Sequence, residues 1–134
     1  QCENAMQVAL WLASRADVGA VHYPGLPQHP QHTVARRLLR QGLFGGMVSF
    51  ELAGAKAPKV YRFMEALRLC LPATTLGDVY TLVLYPAMSS HRAVPAEERE
   101  RLGLGEGLVR ISVGIEDVAD IIADLEQALA ACRD

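Results

Sequence analysis

The chain has 134 residues, enough for one domain with its own core, and its 51% hydrophobic and 21% charged composition excludes wholesale disorder. Thirteen basic and fifteen acidic residues are interspersed to a net charge of −2, so no basic stripe offers a footprint for nucleic acid. The apolar stretches are interrupted within a few residues, and none reads as a membrane span.

The opening Gln1-Cys2-Glu3-Asn4 lacks the basic and apolar segments of a signal peptide. A start at Gln1 rather than Met, directly into a helical pattern, leads us to expect a piece of something longer. Met6, Ala9, Leu10 and Ala13 recur at helical spacing and predict a helix over 3–14. Residues 17–23 read as a short strand closed by Pro24-Gly25, followed by a loop to Pro30. Pro30 suits the first turn of a second helix over 30–41, which Gly42 would end.

From Gly45 to Leu52 the pattern alternates, with Val48, Phe50 and Leu52 on one face and Met47, Ser49 and Glu51 on the other. That is a half-buried strand. Pro58 begins a third helix over 57–70, with Val60, Phe63, Met64 and Leu67 as its apolar stripe. Residues 73–85 read as extended chain, broken at Gly77-Asp78 and closed by Pro86. A polar loop through Ser89, Ser90, His91 and Arg92 precedes a short helix at 95–99, whose acids sit near its N-terminus. Residues 108–115 form a strand, and Asp117 caps a last helix over 118–131.

Arg110 interrupts that last strand. Alternation turns Val109, Ile111 and Val113 towards a core and Leu108, Arg110 and Ser112 the other way. A guanidinium on a rigid ribbon can grip a carboxylate with two prongs. The plainer reading is an arginine on the solvent face of a sheet. Together the elements predict an α+β domain: a small, mostly antiparallel four-stranded sheet with helices packed on one face.

Other chemistry is sparse. His29 and His32 are three apart, but no Cys or carboxylate pattern completes a metal site, and we expect none. The glycines at 42, 45 and 46 precede a strand instead of opening a helix, so they form a turn and not a phosphate cradle. Lys56 and Lys59 are the only lysines, both beside Pro58 and expected to be solvated. Cys2, Cys70 and Cys132, odd in number and widely spaced, suggest reduced thiols in a cytosolic protein.

Blocks along nearly the whole chain carry a resemblance. In order, they include Asn4-Ala5, Val21-His22-Tyr23-Pro24-Gly25-Leu26, His29-Pro30-Gln31-His32 and Gly45-Gly46-Met47-Val48-Ser49-Phe50-Glu51-Leu52. Leu76-Gly77-Asp78, Pro86-Ala87, Ser90-His91, Glu98-Arg99 and the run from Leu108 to Asp117 follow. The chain resembles the C-terminal domain of the Cys/Met-metabolism pyridoxal-phosphate enzymes, among them cystathionine γ-synthase and γ-lyase, methionine γ-lyase and O-acetylhomoserine sulfhydrylase.

The resemblance implies that residues 1–134 are a small domain of a fold-type I enzyme, with the large cofactor-binding domain absent. It implies that Arg110 binds the α-carboxylate of an amino-acid substrate. Thr75 matches a family serine beside substrate and cofactor, and Thr74 stands where cystathionine-handling members often have glutamate. Its lack of charge leans towards a methionine γ-lyase-like or sulfhydrylase-like pocket. Ser90 matches a threonine near the mouth of the site, and Tyr80 departs from a common family glutamate.

Pyridoxal 5′-phosphate would be bound covalently by a lysine outside this chain, which would leave the piece alone inactive. The reaction implied is elimination or replacement at the β- or γ-carbon of a sulfur amino acid, in a cytoplasmic homotetramer. The alternative from another class is a free-standing ligand-binding or dimerising α+β module that recognises a carboxylate metabolite. A third reading makes the sheet face around Arg110 an interdomain contact.

Overall fold

The computed structural model describes residues 1–133. In chain order it contains α1 (Cys2–Ala13), β1 (Val18–His22), α2 (His32–Leu38), β2 (Met47–Leu52), α3 (Ala57–Ala66), β3 (Leu71–Pro72) and β4 (Leu82–Leu84). A 3-10 turn at Pro86–Met88 is followed by α4 (Ala96–Arg101), β5 (Leu108–Ser112) and α5 (Val118–Ala131). The strands form one sheet in the order β1-β2-β5-β4-β3, so β5 lies at its centre.

The sheet corrects one expectation. It has five strands rather than four, and although β1, β2, β5 and β4 pair antiparallel, β3 joins β4 in parallel. The fifth strand is two residues long, held by the Leu71 amide on the Thr81 carbonyl and the Ala73 amide on the Val83 carbonyl. Contacts ten residues away create it, so no local alternation announces it. Pro72, which has no amide to donate, fits this edge position.

One face of the sheet carries the core. Val48, Phe50 and Leu52 of β2, Val83 of β4, and Val109 and Ile111 of β5 are fully or almost fully buried there. Against them lie Ala5, Val8, Ala9 and Leu12 of α1, Val60 and Phe63 of α3, and Ile121, Leu125, Ala128 and Leu129 of α5. Phe63 meets Phe50 edge-on at 5.8 Å between ring centroids. The expected apolar stripes of α3 and α5 thus meet the β-branched face of the sheet, whereas α1 turns Ala5, Val8, Ala9 and Leu12 inwards and leaves Leu10 and Ala13, expected in its stripe, exposed. Asp117 caps α5 by accepting from the Ala119 amide at 2.8 Å.

Two expected helices are shorter in the structure. The second runs only from His32 to Leu38 and buries none of its residues, so no packing extends it past two turns. The third stops at Ala66 instead of reaching residue 70. The cause is Asp124 of α5, whose carboxylate accepts from the amides of Arg68, Leu69 and Cys70 at 2.9, 2.9 and 2.8 Å. Three amides that might have continued a helix are committed to one buried side chain.

The expected extended run over 73–85 is strand only at Leu82–Leu84. Residues 73–81 are instead the crossover between the parallel strands β3 and β4. Most such crossovers need a dozen or more residues and a helix. This one spans nine and leaves the sheet edge to lie over β5, on the face away from the helices.

Candidate functional site

Arg110 sits in the middle of the central strand, paired with Ser49 on β2 and Leu84 on β4. Its neighbours Val109 and Ile111 are completely buried on the core side, so the pleat sends the Arg110 side chain to the opposite face. There it is half-buried. Its Nη2 donates to the carbonyl oxygens of Thr74 at 3.3 Å and Thr75 at 3.0 Å. Its Nε is buried without a hydrogen-bond partner. Among the described residues no carboxylate forms an ion pair with it.

Burial lowers the pKa of the Arg110 guanidinium from its ordinary value. A guanidinium nonetheless keeps its charge at neutral pH. The result is a cation partly stripped of water, steadied on one side by backbone oxygens and left with unspent donors. A buried donor without an acceptor costs about 1–3 kcal/mol. An anion of carboxylate geometry would remove that cost.

The crossover brings the two threonines to Arg110. Their carbonyls turn inwards to the guanidinium while the residues themselves are exposed. Gly77 permits the turn, with φ at +81°, a region that side chains disfavour. Its amide donates to Ser112 Oγ at 2.8 Å. Ser112, expected on an open face, is therefore 3% exposed and spent on the loop. Further on, the Ile115 amide donates to the Val79 carbonyl at 2.9 Å.

Beyond Thr74 an apolar groove of about 420 Å³ opens, lined by Tyr61 and Met64 of α3, Thr74, Leu84, Tyr85 and Ser89 among others. Tyr85 meets Tyr61 edge-on at 5.7 Å, and its hydroxyl donates to the Glu106 carbonyl at 2.8 Å. Thr74 is thus shared between the guanidinium and the groove. Ser90 stands apart: its hydroxyl pairs with His91 Nδ1 at 2.8 Å, and no hydrogen bond joins it to Arg110, Thr74 or Thr75. Its neighbour Ser89 lines the groove.

The histidines and lysines are used elsewhere. His29 Nδ1 accepts from the Gln31 amide, whereas His32 pairs with the Pro24 carbonyl and stacks on Phe44. Lys56 and Lys59 flank Pro58 at the start of α3, and Lys59 Nζ donates to the Ala53 carbonyl. Tyr80 is 57% exposed.

Periodicity missed the residues that hold the crossover in place: Asp124 at its entry, Ser112 beneath its middle, and Thr81 with Glu116 at its exit. The one available signal was a polar residue at a position the pattern demands be apolar. Asp124 lies one residue before Leu125 in the buried stripe of α5, and Thr81 leads the apolar run Leu82-Val83-Leu84.

Known proteins match this chain over nearly its whole length. The model of the Cys/Met metabolism PLP-dependent enzyme family matches residues 1–130. L-methionine gamma-lyase of Pseudomonas putida is 46% identical over 130 residues, covering 97% of this chain and 32% of that protein. Cystathionine beta-lyase of Coxiella burnetii is 44% identical over 128 residues, covering 96% of this chain and 32% of its own length. Among solved structures, cystathionine gamma-lyase from yeast superposes with a TM-score of 0.94 at 40% identity, over 99% of this chain and 34% of that one. A putative O-acetylhomoserine (thiol)-lyase from Campylobacter jejuni, solved with N′-pyridoxyl-lysine-5′-monophosphate, gives 0.90 at 32% identity over 96% of this chain and 30% of its own. The chain spans about a third of the length of the curated relatives it matches.

Proposed function

This chain belongs to the Cys/Met metabolism PLP-dependent enzyme family, and from that premise we propose that residues 1–134 are the small, carboxylate-binding domain of a full-length carbon–sulfur lyase or transferase. The observation that carries this reading is the Arg110 guanidinium, half-buried on the central strand with donors unspent and no acidic side chain beside it. Arg110 takes the substrate's α-carboxylate through charge-assisted hydrogen bonds and so fixes the direction of the amino acid's side chain.

Pyridoxal phosphate, when bound, supplies the electron sink for elimination or replacement at the β- or γ-carbon. The residues here fit a supporting part beside it. Thr75 is exposed, its carbonyl anchors Arg110, and its hydroxyl is available to both cofactor and substrate. Thr74 lines the wall between the carboxylate and the apolar groove, and as an uncharged residue it favours a thioether or thiol side chain over a second amino-acid head group. The resemblance gives Ser90 a place near the mouth of the site; here it is one residue from the groove-lining Ser89 and bonded to His91.

On this reading the lysine that carries the cofactor belongs to the large domain, as the family resemblance implies, and Lys59 Nζ is engaged by the Ala53 carbonyl. Residues 1–134 alone are therefore inactive on this reading. The family resemblance supports a cytoplasmic homotetramer for the full-length enzyme.

Kinetics of the full-length enzyme test the proposal. Arg110→Ala removes charge-assisted hydrogen bonds that contribute about 1.5–3 kcal/mol, so KM should rise roughly ten- to 150-fold. An unchanged KM would overturn the role given to Arg110. A separate check adds pyridoxal phosphate to residues 1–134 alone, which should develop no protein-bound absorbance beyond that of the free cofactor.

A further inference from the structure

Just three polar or charged side chains are buried among the described residues: Thr81 at 0% exposure, Ser112 at 3% and Asp124 at 6%. Burying a polar group is unfavourable unless it is hydrogen-bonded, so where a fold uses them is informative. Ser112 and Thr81 are spent on one nine-residue segment, the 73–81 crossover, and Asp124 on the chain that leads into β3 just before it. Asp124 accepts from the amides of residues 68–70 and fixes its entry. Ser112 Oγ accepts from Gly77 and fixes its middle.

Thr81 fixes the exit. Its amide and hydroxyl donate to the two carboxylate oxygens of Glu116 at 2.6 and 2.9 Å, and its Oγ1 accepts from the Gly114 amide at 2.9 Å. Between these anchors lie the Thr74 and Thr75 carbonyls that hold Arg110. Ser112 and Gly114 follow Arg110 on alternate positions of the same ribbon, so the residues steadying the crossover share a strand and its continuation with the arginine it steadies.

We propose that Thr81, clasped by Glu116 and Gly114, is a positioning residue that sets the substrate arginine through the crossover. The proposal rests on the reading of Arg110 as the carboxylate anchor. Thr81 touches no substrate. It holds the segment whose carbonyls hold Nη2, so that the guanidinium is aimed before substrate arrives and loses no orientation on binding.

The test uses the full-length enzyme with Thr81→Val, which keeps the shape and removes the hydroxyl, and Thr81→Ser, which restores it. Thr81→Val should raise KM about tenfold with kcat within about twofold, as expected when one buried hydrogen-bonding group is lost, whereas Thr81→Ser should stay near the wild-type KM. In an Arg110→Ala background Thr81→Val should add nothing, because its effect passes through that guanidinium. Ser112→Ala, which frees only Gly77, should reproduce a smaller KM rise, and it serves as the decisive variant if Thr81→Val does not accumulate. A wild-type KM in folded Thr81→Val or Ser112→Ala, or an additive effect in the double variant, overturns the positioning role. If Arg110→Ala raises KM and these variants do not, only the positioning role falls. If Arg110→Ala itself leaves KM unchanged, the carboxylate reading falls, and the positioning role with it.

Discussion

The Thr75 carbonyl oxygen and Arg110 Nη2 lie 3.0 Å apart, although thirty-five positions separate the two residues in the sequence. The bond gives the arginine a fixed bearing on the face of the sheet away from the helices. If Arg110 holds the carboxylate as proposed, substitutions at 110 act on two things at once, the ligand and the crossover.

Arg110→Lys should therefore behave much more like Arg110→Ala than a conservative exchange. An ammonium is a single compact charge, and it cannot reach the Thr74 and Thr75 carbonyls and a carboxylate together in the planar geometry of a guanidinium. Steady-state kinetics of the full-length enzyme should return most of the KM increase of the alanine variant.

Asp124→Ala should destabilise the fold by about 1–3 kcal/mol, since the buried Cys70 amide loses its acceptor and the part-buried Arg68 and Leu69 amides lose theirs. Denaturant unfolding at neutral pH measures this. Burial pushes the Asp124 carboxyl pKa up, but hydrogen bonds from Cys70, Arg68, Leu69 and Gln127 outweigh it and leave the value below the usual one. A carboxylate with a depressed folded-state pKa stabilises fully above its unfolded value of about 3.9, and loses that contribution as pH falls through the folded value. Asp124→Asn should flatten the fall in stability below about pH 4 that the wild type shows.

Gly114→Ala should cost about 1–3 kcal/mol, the usual range for overpacking. A Cβ there would press on Glu116 Oε2 and the Val79 carbonyl, and would lie 2.6 Å from the Thr81 amide. Gly105→Ala is the control, because its Cβ would meet nothing within 4 Å. That change should be neutral or stabilising by up to about 1 kcal/mol. The melting temperature should fall in Gly114→Ala and hold or rise in Gly105→Ala.

Cys70 and Cys132 should resist alkylation in the native protein and label only on unfolding. Both are buried to 1% exposure. Burial raises both thiol pKa values, and at Cys70 the neighbouring Asp124 carboxylate raises it further. The thiolate is the reactive form, so the two conditions act together. Iodoacetamide treatment followed by peptide mapping would check it, and rapid native labelling of Cys70 would contradict the structure.

The layers of the fold were legible because their signals are local. The stripes on α3 and α5 and the alternation in β2 and β5 follow from a period of 3.6 or 2, and packing left them intact. The direction of the Arg110 side chain followed from the same alternation. On α1, apolar on nearly every side, periodicity found the helix but chose the wrong face, since Leu10 and Ala13 are exposed while Val8 and Leu12 are buried. What could not be read is where distant groups decide local conformation. Asp124 ends α3 from fifty-four to fifty-six positions away. β3 exists only because β4 lies beside it. At the site, the sequence offered the arginine and two threonines but not the bond between them, since a carbonyl's partner leaves no trace in residue type.

The brevity of the connection between β3 and β4 has an evolutionary consequence. A nine-residue tether pinned at its beginning by the Ala73 amide on the Val83 carbonyl, at its centre by Ser112 and at its end by Glu116 has little slack to absorb an inserted or deleted residue without dragging the arginine off its bearing. On the proposed function, substrate choice on this scaffold diversifies by exchanging side chains at positions such as 74 and 75 rather than by changes in length.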